Sequence, residues 1–282
     1  MAQMDSYRLW SKHLPDGAPF TVCAMFTPGF QPQAERLRAS LEQLGLAYLL
    51  FEVDQIHRSI STNGGQDITT SKPVFIRMAL ERCGGAVLYV DADTVFRKAP
   101  DLISDLCAKQ CDFAIYNWFA DDLNDAWRPD EAGVWRFYLS VDLASETQLM
   151  ASGAVQLWSN SNRAGALLAE WQRRIAENPA SPDDQCLDFA FNHGAHPGLN
   201  AAWLPKEYCR YAFWPYVEPV IDHPELPSSA RDKWKDLGHA RVNFSQIRRA
   251  RKTHPLPREM ALNFHEVSAR PNSTISHGEK VD

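Results

Sequence analysis

Asp91 and Asp93 stand two residues apart where the apolar run Val87-Leu-Tyr-Val90 gives way to polar chain, with the small Ala92 between them. If extended geometry persists, residues two apart point the same way and both carboxylates face one cation. Hard oxygen ligands favour Mg²⁺ or Mn²⁺, and such an ion neutralises a diphosphate and stabilises the charge that develops as it leaves. In an open α/β sheet, ligands bind beyond the carboxyl ends of the strands, which is where this pair falls. Two carboxylates at a strand end also cap a turn or a helix, so position alone leaves both readings open.

The elements around the pair alternate. Phe20 to Phe26 is an apolar strand-type run, Gln33 to Leu44 has helical spacing with Gly45 as a stop, and Ala47 to Val53 is a second strand. A helix is predicted from Lys72-Pro73 to Cys83, a third strand over 86–90, a helix from Pro100 to Ala108 and a strand from Asp112 to Trp118. Met150 to Trp158 reads as a strand, Asn160 to Glu177 and Asp183 to Asn192 as helices. Phe119 to Glu146 reads as an insertion that could line an acceptor site. Repeated β-α units predict an α/β fold: a single Rossmann-like, mainly parallel sheet with helices on both faces. Beyond Trp203 the period is lost and Pro205, Pro215, Pro219, Pro224, Pro227, Pro255 and Pro257 imply irregular chain wrapping the core. The expected division is a core over 1–205, a C-terminal extension over 206–270 that wraps the site, and a disordered tail over 271–282.

The 282 residues, 45% hydrophobic, suffice for one large domain. A net charge of −6 argues against nucleic acid as a partner, although a basic stretch between Arg231 and Arg258 stands out in the acidic chain. No segment has the roughly 20 apolar residues of a membrane span, and the amino terminus lacks a secretory pattern, so a cytoplasmic protein is expected, or one peripheral at the inner membrane face. Six scattered cysteines without a Cys-x-x-Cys pair argue against structural zinc and a disulfide framework.

The run Lys72-Pro-Val-Phe-Ile-Arg-Met-Ala-Leu, then Gly84-Gly85, then Val87-Leu-Tyr-Val-Asp-Ala-Asp-Thr-Val-Phe96, resembles the GT-A nucleotide-sugar glycosyltransferases, in which a helix with a basic residue precedes an Asp-x-Asp strand. Ala151-Ser-Gly-Ala-Val-Gln-Leu-Trp158 is similar to their strand with a small-residue pair, and Ser181-Pro-Asp-Asp-Gln-Cys-Leu187 to their Asp-Gln helix start. The elements keep the family's order over roughly residues 20 to 205. The resemblance implies a metal-dependent transfer of sugar from a nucleotide-diphosphate donor, UDP favoured and with retention, to a glycan, lipid-linked or protein acceptor that the residues do not identify. It implies that Phe26 and Thr27 contact the nucleoside and that Lys72 approaches the diphosphate. Asp91 would touch ribose and metal-bound water, Asp93 would ligate the metal, Ala92 would leave room for the nucleotide, and Ser152 and Gly153 would border the sugar or acceptor. Asp184, with Gln185, would lie nearest the transferred sugar, while Asp183 caps the helix. Some subfamilies, similar to glycogenin and to bacterial lipopolysaccharide galactosyltransferases, complete the metal site with a late histidine, for which Leu262-Asn-Phe-His265 is the best match, with His239 and His254 as substitutes. Their Gly-x-x-Lys-Pro-Trp is missing, and the basic run at Arg248 to Lys252 would supply the diphosphate clamp, with Lys252 as its contact.

Two other classes fit parts of the pattern. An apolar strand ending in Asp91-Ala-Asp-Thr94 also resembles the first motif of the haloacid-dehalogenase phosphatases, with Asp91 as nucleophile, but two strand-helix units precede it here. A non-catalytic sugar-binding module would use tryptophans such as Trp118, Trp127 and Trp135, yet has no need of paired carboxylates at a strand end.

Overall fold

The computed structural model describes residues 7–53, 68–117, 149, 151–178, 183–211, 217–224 and 264–265. Eleven strands and five α-helices occur among them, in the chain order β1 (Tyr7–His13), β2 (Phe20–Phe26), α1 (Gln31–Gln43), β3 (Tyr48–Val53), α2 (Lys72–Cys83), β4 (Ala86–Val90), β5 (Val95–Phe96), α3 (Asp101–Ala108), β6 (Phe113–Asn117), β7 (Ala151–Trp158), α4 (Asn162–Glu177), α5 (Asp183–His193), β8 (Ala201–Trp203), β9 (Arg210–Tyr211), β10 (Ile221–His223) and β11 (Phe264–His265). The α/β class is as expected.

Eight strands form the main sheet in the order β1-β3-β2-β4-β7-β6-β8-β11. Pairing is parallel throughout except at β1 with β3 and at β7, which runs antiparallel to both β4 and β6. β2 is buried along its whole length, as a central strand covered on both faces requires. Its alternate residues feed two cores: Cys23 and Met25 join the side covered by α2, α4 and α5 through Phe75, Leu167, Trp171 and Leu187, whereas Val22 and Ala24 join the side covered by α1 and α3 through Leu37, Leu41, Ile103 and Leu106. Helices therefore cover both faces.

Local chemistry sets the helix ends. Pro73 sits in the first turn of α2, and Gly84 closes that helix at φ 67°, a left-handed conformation that favours glycine. Ser161 caps α4, its Oγ accepting the Ala164 N–H at 3.1 Å while donating to Asp112 Oδ1 at 2.6 Å.

Six strands were not foreseen, namely β1, β5, β8, β9, β10 and β11. β1 precedes the first predicted strand and pairs antiparallel at the sheet edge, where its mostly exposed residues give a weak apolar signal, so the Asp91 strand is fourth in the chain rather than third. β5 and β10 pair antiparallel and β10 pairs parallel with β9, giving a three-stranded sheet built partly from the stretch read as irregular. With two or three residues each, these strands are too short to show a period. All six cysteines are free. Among the described residues no helix is long and apolar enough to cross a membrane. The insertion at 119–146, the basic stretch and the tail lie outside the described residues.

Candidate functional site

The site sits where β4 ends. Extended geometry stops at Val90: Thr94 donates from both its N–H, at 3.1 Å, and its Oγ1, at 2.8 Å, to the Asp91 carbonyl, closing a tight turn. This corrects the expectation that strand alternation aligns the two carboxylates. The turn aligns them instead, and β5 begins directly after it. Because β10 pairs with β5 in the register Asp222↔Val95, His223 returns to the same place. One ligand atom each of Asp91, Asp93 and His223 lies within 4.8 Å of the others.

His223 is 4% exposed; the Arg210 backbone approaches its ring, but neither ring nitrogen makes a hydrogen bond of full geometry. Burial pulls the imidazole below its ordinary value, against the opposing pull of Asp91 and Asp222, so the ring is held neutral and able to offer a lone pair. Its neighbour Asp222 faces away and is bound by two arginines, Arg97 through Nε at 3.1 Å and Nη2 at 2.9 Å, and Arg210 through Nη1 at 2.9 Å. These bonds anchor β10 between β5 and β9. Two carboxylates and a buried neutral imidazole are a donor set that fits a divalent cation.

Beside this trio lies a buried ion cluster. Lys72, 2% exposed, places Nζ 3.3 Å from Asp91 Oδ1 and 3.2 Å from Asp183 Oδ2, and donates to the Gly153 carbonyl at 3.0 Å. Burial alone would lower the Lys72 ammonium, but Asp183 and then Asp91 outweigh it and hold it well above the ordinary value. Tyr89 Oη donates to Asp91 Oδ1 at 2.8 Å. Burial raises Asp91, with Lys72 opposing and Asp93 adding to the rise.

β7 supplies the floor of the cluster. Its antiparallel register against β4, extended by the bond from Asp91 N–H to the Ala154 carbonyl at 2.9 Å, sets Gly153 against Lys72. A Cβ at 153 would stand 3.3 Å from Lys72 Nζ and 3.5 Å from Asp183 Oδ2, so glycine is needed for close approach rather than for backbone angle. Ser152 is 2% exposed and turns away, its Oγ 2.6 Å from Tyr211 Oη and 3.1 Å from Cys209 Sγ.

α5 contributes three acids. The Trp171 indole of α4 donates to the Asp183 carbonyl at 2.8 Å and fixes the helix start. Asp184 Oδ1 accepts the Gln185 N–H at 2.8 Å; burial, then Asp183, raises its carboxyl to about 6. One turn on, Asp188 accepts the Ala151 N–H at 2.6 Å, and burial lifts it well above the carboxylate range.

The residues singled out from the sequence are distributed as follows. Lys72, Asp91 and Gly153 converge, Asp93 adjoins them, and Asp184 Cβ is 3.7 Å from where a Gly153 side chain would begin. Lys72 spends its ammonium on two carboxylates and a carbonyl. Ala92 packs with Phe26 and Ala34, and the Phe26 ring meets Trp10 edge-on at 5.2 Å, so both are core contacts next to the site. Thr27 is half-buried and its carbonyl accepts the Phe30 N–H at 2.8 Å. His265 places its backbone in β11, opposite Ala202 of β8, and its side chain lies outside the described residues, as does Lys252. Two residues were missed. Asp183 was read as a cap, although its place after Pro182 and before Asp184 marks a charged helix start. His223 lies in Ile221-Asp-His223-Pro, where the only signal is an apolar-polar triplet between prolines.

The family model for nucleotide-diphospho-sugar transferases matches residues 35–237. No curated protein matches the sequence. Among solved structures, the chain is similar to a glycosyltransferase involved in the glycosylation of the major capsid of PBCV-1, at 12% identity and a TM-score of 0.49, covering 79% of this chain and 98% of that one. It is also similar to mouse xyloside xylosyltransferase 1, at 13% identity and 0.42, covering 74% and 99%. A third likeness, at 12% identity and 0.46, is to the bifunctional glycosyltransferase WbbM, covering 77% of this chain and 48% of that one.

Proposed function

The chain belongs to the nucleotide-diphospho-sugar transferases, a glycosyltransferase family, and we propose that it works with a divalent cation, Mn²⁺ or Mg²⁺, bound by Asp91, Asp93 and His223. The observation that carries this is the convergence of those three ligand atoms, one of them from a buried neutral imidazole, within 4.8 Å of one another. The donor we favour is a UDP-sugar and the favoured outcome is retention, both on the family resemblance of the Asp-x-Asp and Asp-Gln segments. When bound, the cation neutralises the donor diphosphate and makes it a better leaving group.

The chain's own residues do the remainder. Lys72 holds Asp91 and Asp183 at fixed distance, so that one Asp91 oxygen is spent on Lys72 and Tyr89 while the other can turn to the site. Gly153, lacking a side chain, lets Lys72, Asp183 and Asp184 pack close against β7. Asp184 is the carboxylate assigned to the transferred sugar: ionised, it stabilises positive charge on the sugar ring, and with its carboxyl raised to about 6 it can also accept the proton of an acceptor hydroxyl. Gln185, beside it, would orient the sugar. Phe26, Thr27 and Ala92 would border the nucleoside, and Lys252 the diphosphate. The phosphatase and non-catalytic readings give way to the family assignment.

The test is a thermal-shift screen of nucleoside diphosphates with and without Mn²⁺, followed by hydrolysis of the best donor. UDP should protect the protein only when Mn²⁺ is present, and Asp93→Ala and His223→Ala should each abolish that protection and metal-dependent turnover while the apo protein melts as before. Undiminished turnover in chelator would overturn the metal reading.

A further inference from the structure

We propose that Tyr211 is the positioning residue for His223, holding the imidazole by a face-to-face stack in place of the hydrogen bond that usually orients a metal-binding histidine; this role rests on the metal reading above. A metal-ligating histidine as a rule donates its second ring N–H to a carboxylate, carbonyl or water, which fixes ring angle and tautomer. At His223 only the Arg210 backbone approaches the ring edge, and no bond of full hydrogen-bond geometry holds either nitrogen. Its ring lies instead against Tyr211, with centroids 4.7 Å apart and planes 21° from parallel. A stack grips the faces of the imidazole and leaves both in-plane nitrogens available, so the ring is oriented without spending a lone pair.

The backbone makes this stack a consequence of register. β9 and β10 pair in parallel with Tyr211 opposite His223, which sets the two side chains on the same face of the small sheet. Tyr211 is itself tied at its far end, since Oη lies 2.6 Å from Ser152 Oγ, which also lies 3.1 Å from Cys209 Sγ. Ser152 and Cys209 are buried, so the anchor is dry. The chain of contacts thus runs from β7, one residue before the Gly153 carbonyl that receives Lys72, through the phenol to the imidazole. It joins the two halves of the site by a route independent of Asp91.

Titration of the full chain with Mn²⁺, reading free Mn²⁺ by electron paramagnetic resonance, tests this without donor or turnover. Tyr211→Leu should weaken Mn²⁺ binding about 10- to 100-fold, the range for loss of a supporting contact to a ligand. Tyr211→Phe, which keeps the ring, should stay within about threefold of wild type, and Tyr211→Trp should rescue binding relative to leucine. Wild-type affinity in Tyr211→Leu, with binding lost in His223→Ala, would make Tyr211 a packing residue and overturn the proposal. Equal losses in Tyr211→Phe and Tyr211→Leu would overturn it too, by assigning the effect to the hydroxyl. Absence of saturable Mn²⁺ binding by wild type would overturn the metal centre itself, and this role with it. If the leucine variant does not melt cooperatively, Tyr211→Met, which keeps volume without a ring, carries the same comparison.

Discussion

Lys72→Met removes a charge while keeping the apolar stem, and its cost can be worked from the geometry. Nζ sits 3.3 Å from one carboxylate and 3.2 Å from another, with the lysine side chain 3% exposed and the Asp183 side chain 9% exposed. Removing one partner of a buried pair typically costs about 3–5 kcal/mol, because the remaining charge stays buried without compensation. Asp91 is one-third exposed and partly screened, so the lower end, about 3 kcal/mol, is expected. For a domain above about 150 residues this corresponds to a melting temperature lower by roughly 6–12 °C. The ammonium is held above its ordinary value in the folded state, so its contribution is complete below about pH 10 and lost only as pH rises through the folded value. The gap between wild type and variant should therefore be flat from pH 7 to 9. It should shrink towards pH 5, where Asp91 and Asp184, both raised by burial, take up protons and relieve the variant. Urea unfolding in chelator at pH 5 and pH 8 measures both. A variant within about 0.5 kcal/mol of wild type at pH 8, or a gap that widens in acid, would refute the assignment of Lys72 as the cation holding these carboxylates.

Gly153→Ala should cost about 1–2 kcal/mol through overpacking, because the new methyl forces Lys72 Nζ back from its three partners; circular-dichroism melts measure the cost, and donor hydrolysis should fall with it. For Asp184→Asn in chelator, stability should rise relative to wild type at pH 8. The folded carboxyl titrates at about 6 against an ordinary 3.8, so its favourable contribution is present in acid and lost as pH climbs from about 4 through 6. The gain has a ceiling of about 3 kcal/mol and should fade towards pH 5 in urea melts; in a separate assay with Mn²⁺, turnover should fall about tenfold or more.

Much of the sheet was legible because long buried strands and helices carry strong periods. The bounds of α2 and β4 coincide with the sequence reading, Pro73 and Gly84 marking the helix as their chemistry requires. The Asp-x-Asp pair was legible as a strand end, whereas the turn that aligns it depends on Thr94 reaching back to a carbonyl, a bond that apolar spacing does not register. His223 was not legible, because a three-residue strand has no measurable period and its place depends on pairing with another strand more than a hundred residues earlier in the chain. Asp183 was half-read: a carboxylate at a helix start is normally a cap, and only the buried Lys72 from a separate helix gives it a different partner.

The reversed strand β7 has a consequence for how this scaffold can diversify. Asn117, the last residue of β6, pairs with Ala151, the first of β7, so whatever chain joins them leaves and returns at one point, next to Ser152 and Gly153. Loop-closure entropy grows only slowly with length. A joining segment can thus be lengthened, shortened or exchanged with little effect on the sheet, while its ends stay fixed at the floor of the site. Variation in the length of that join is in this way decoupled from the strands that position Asp91 and Gly153.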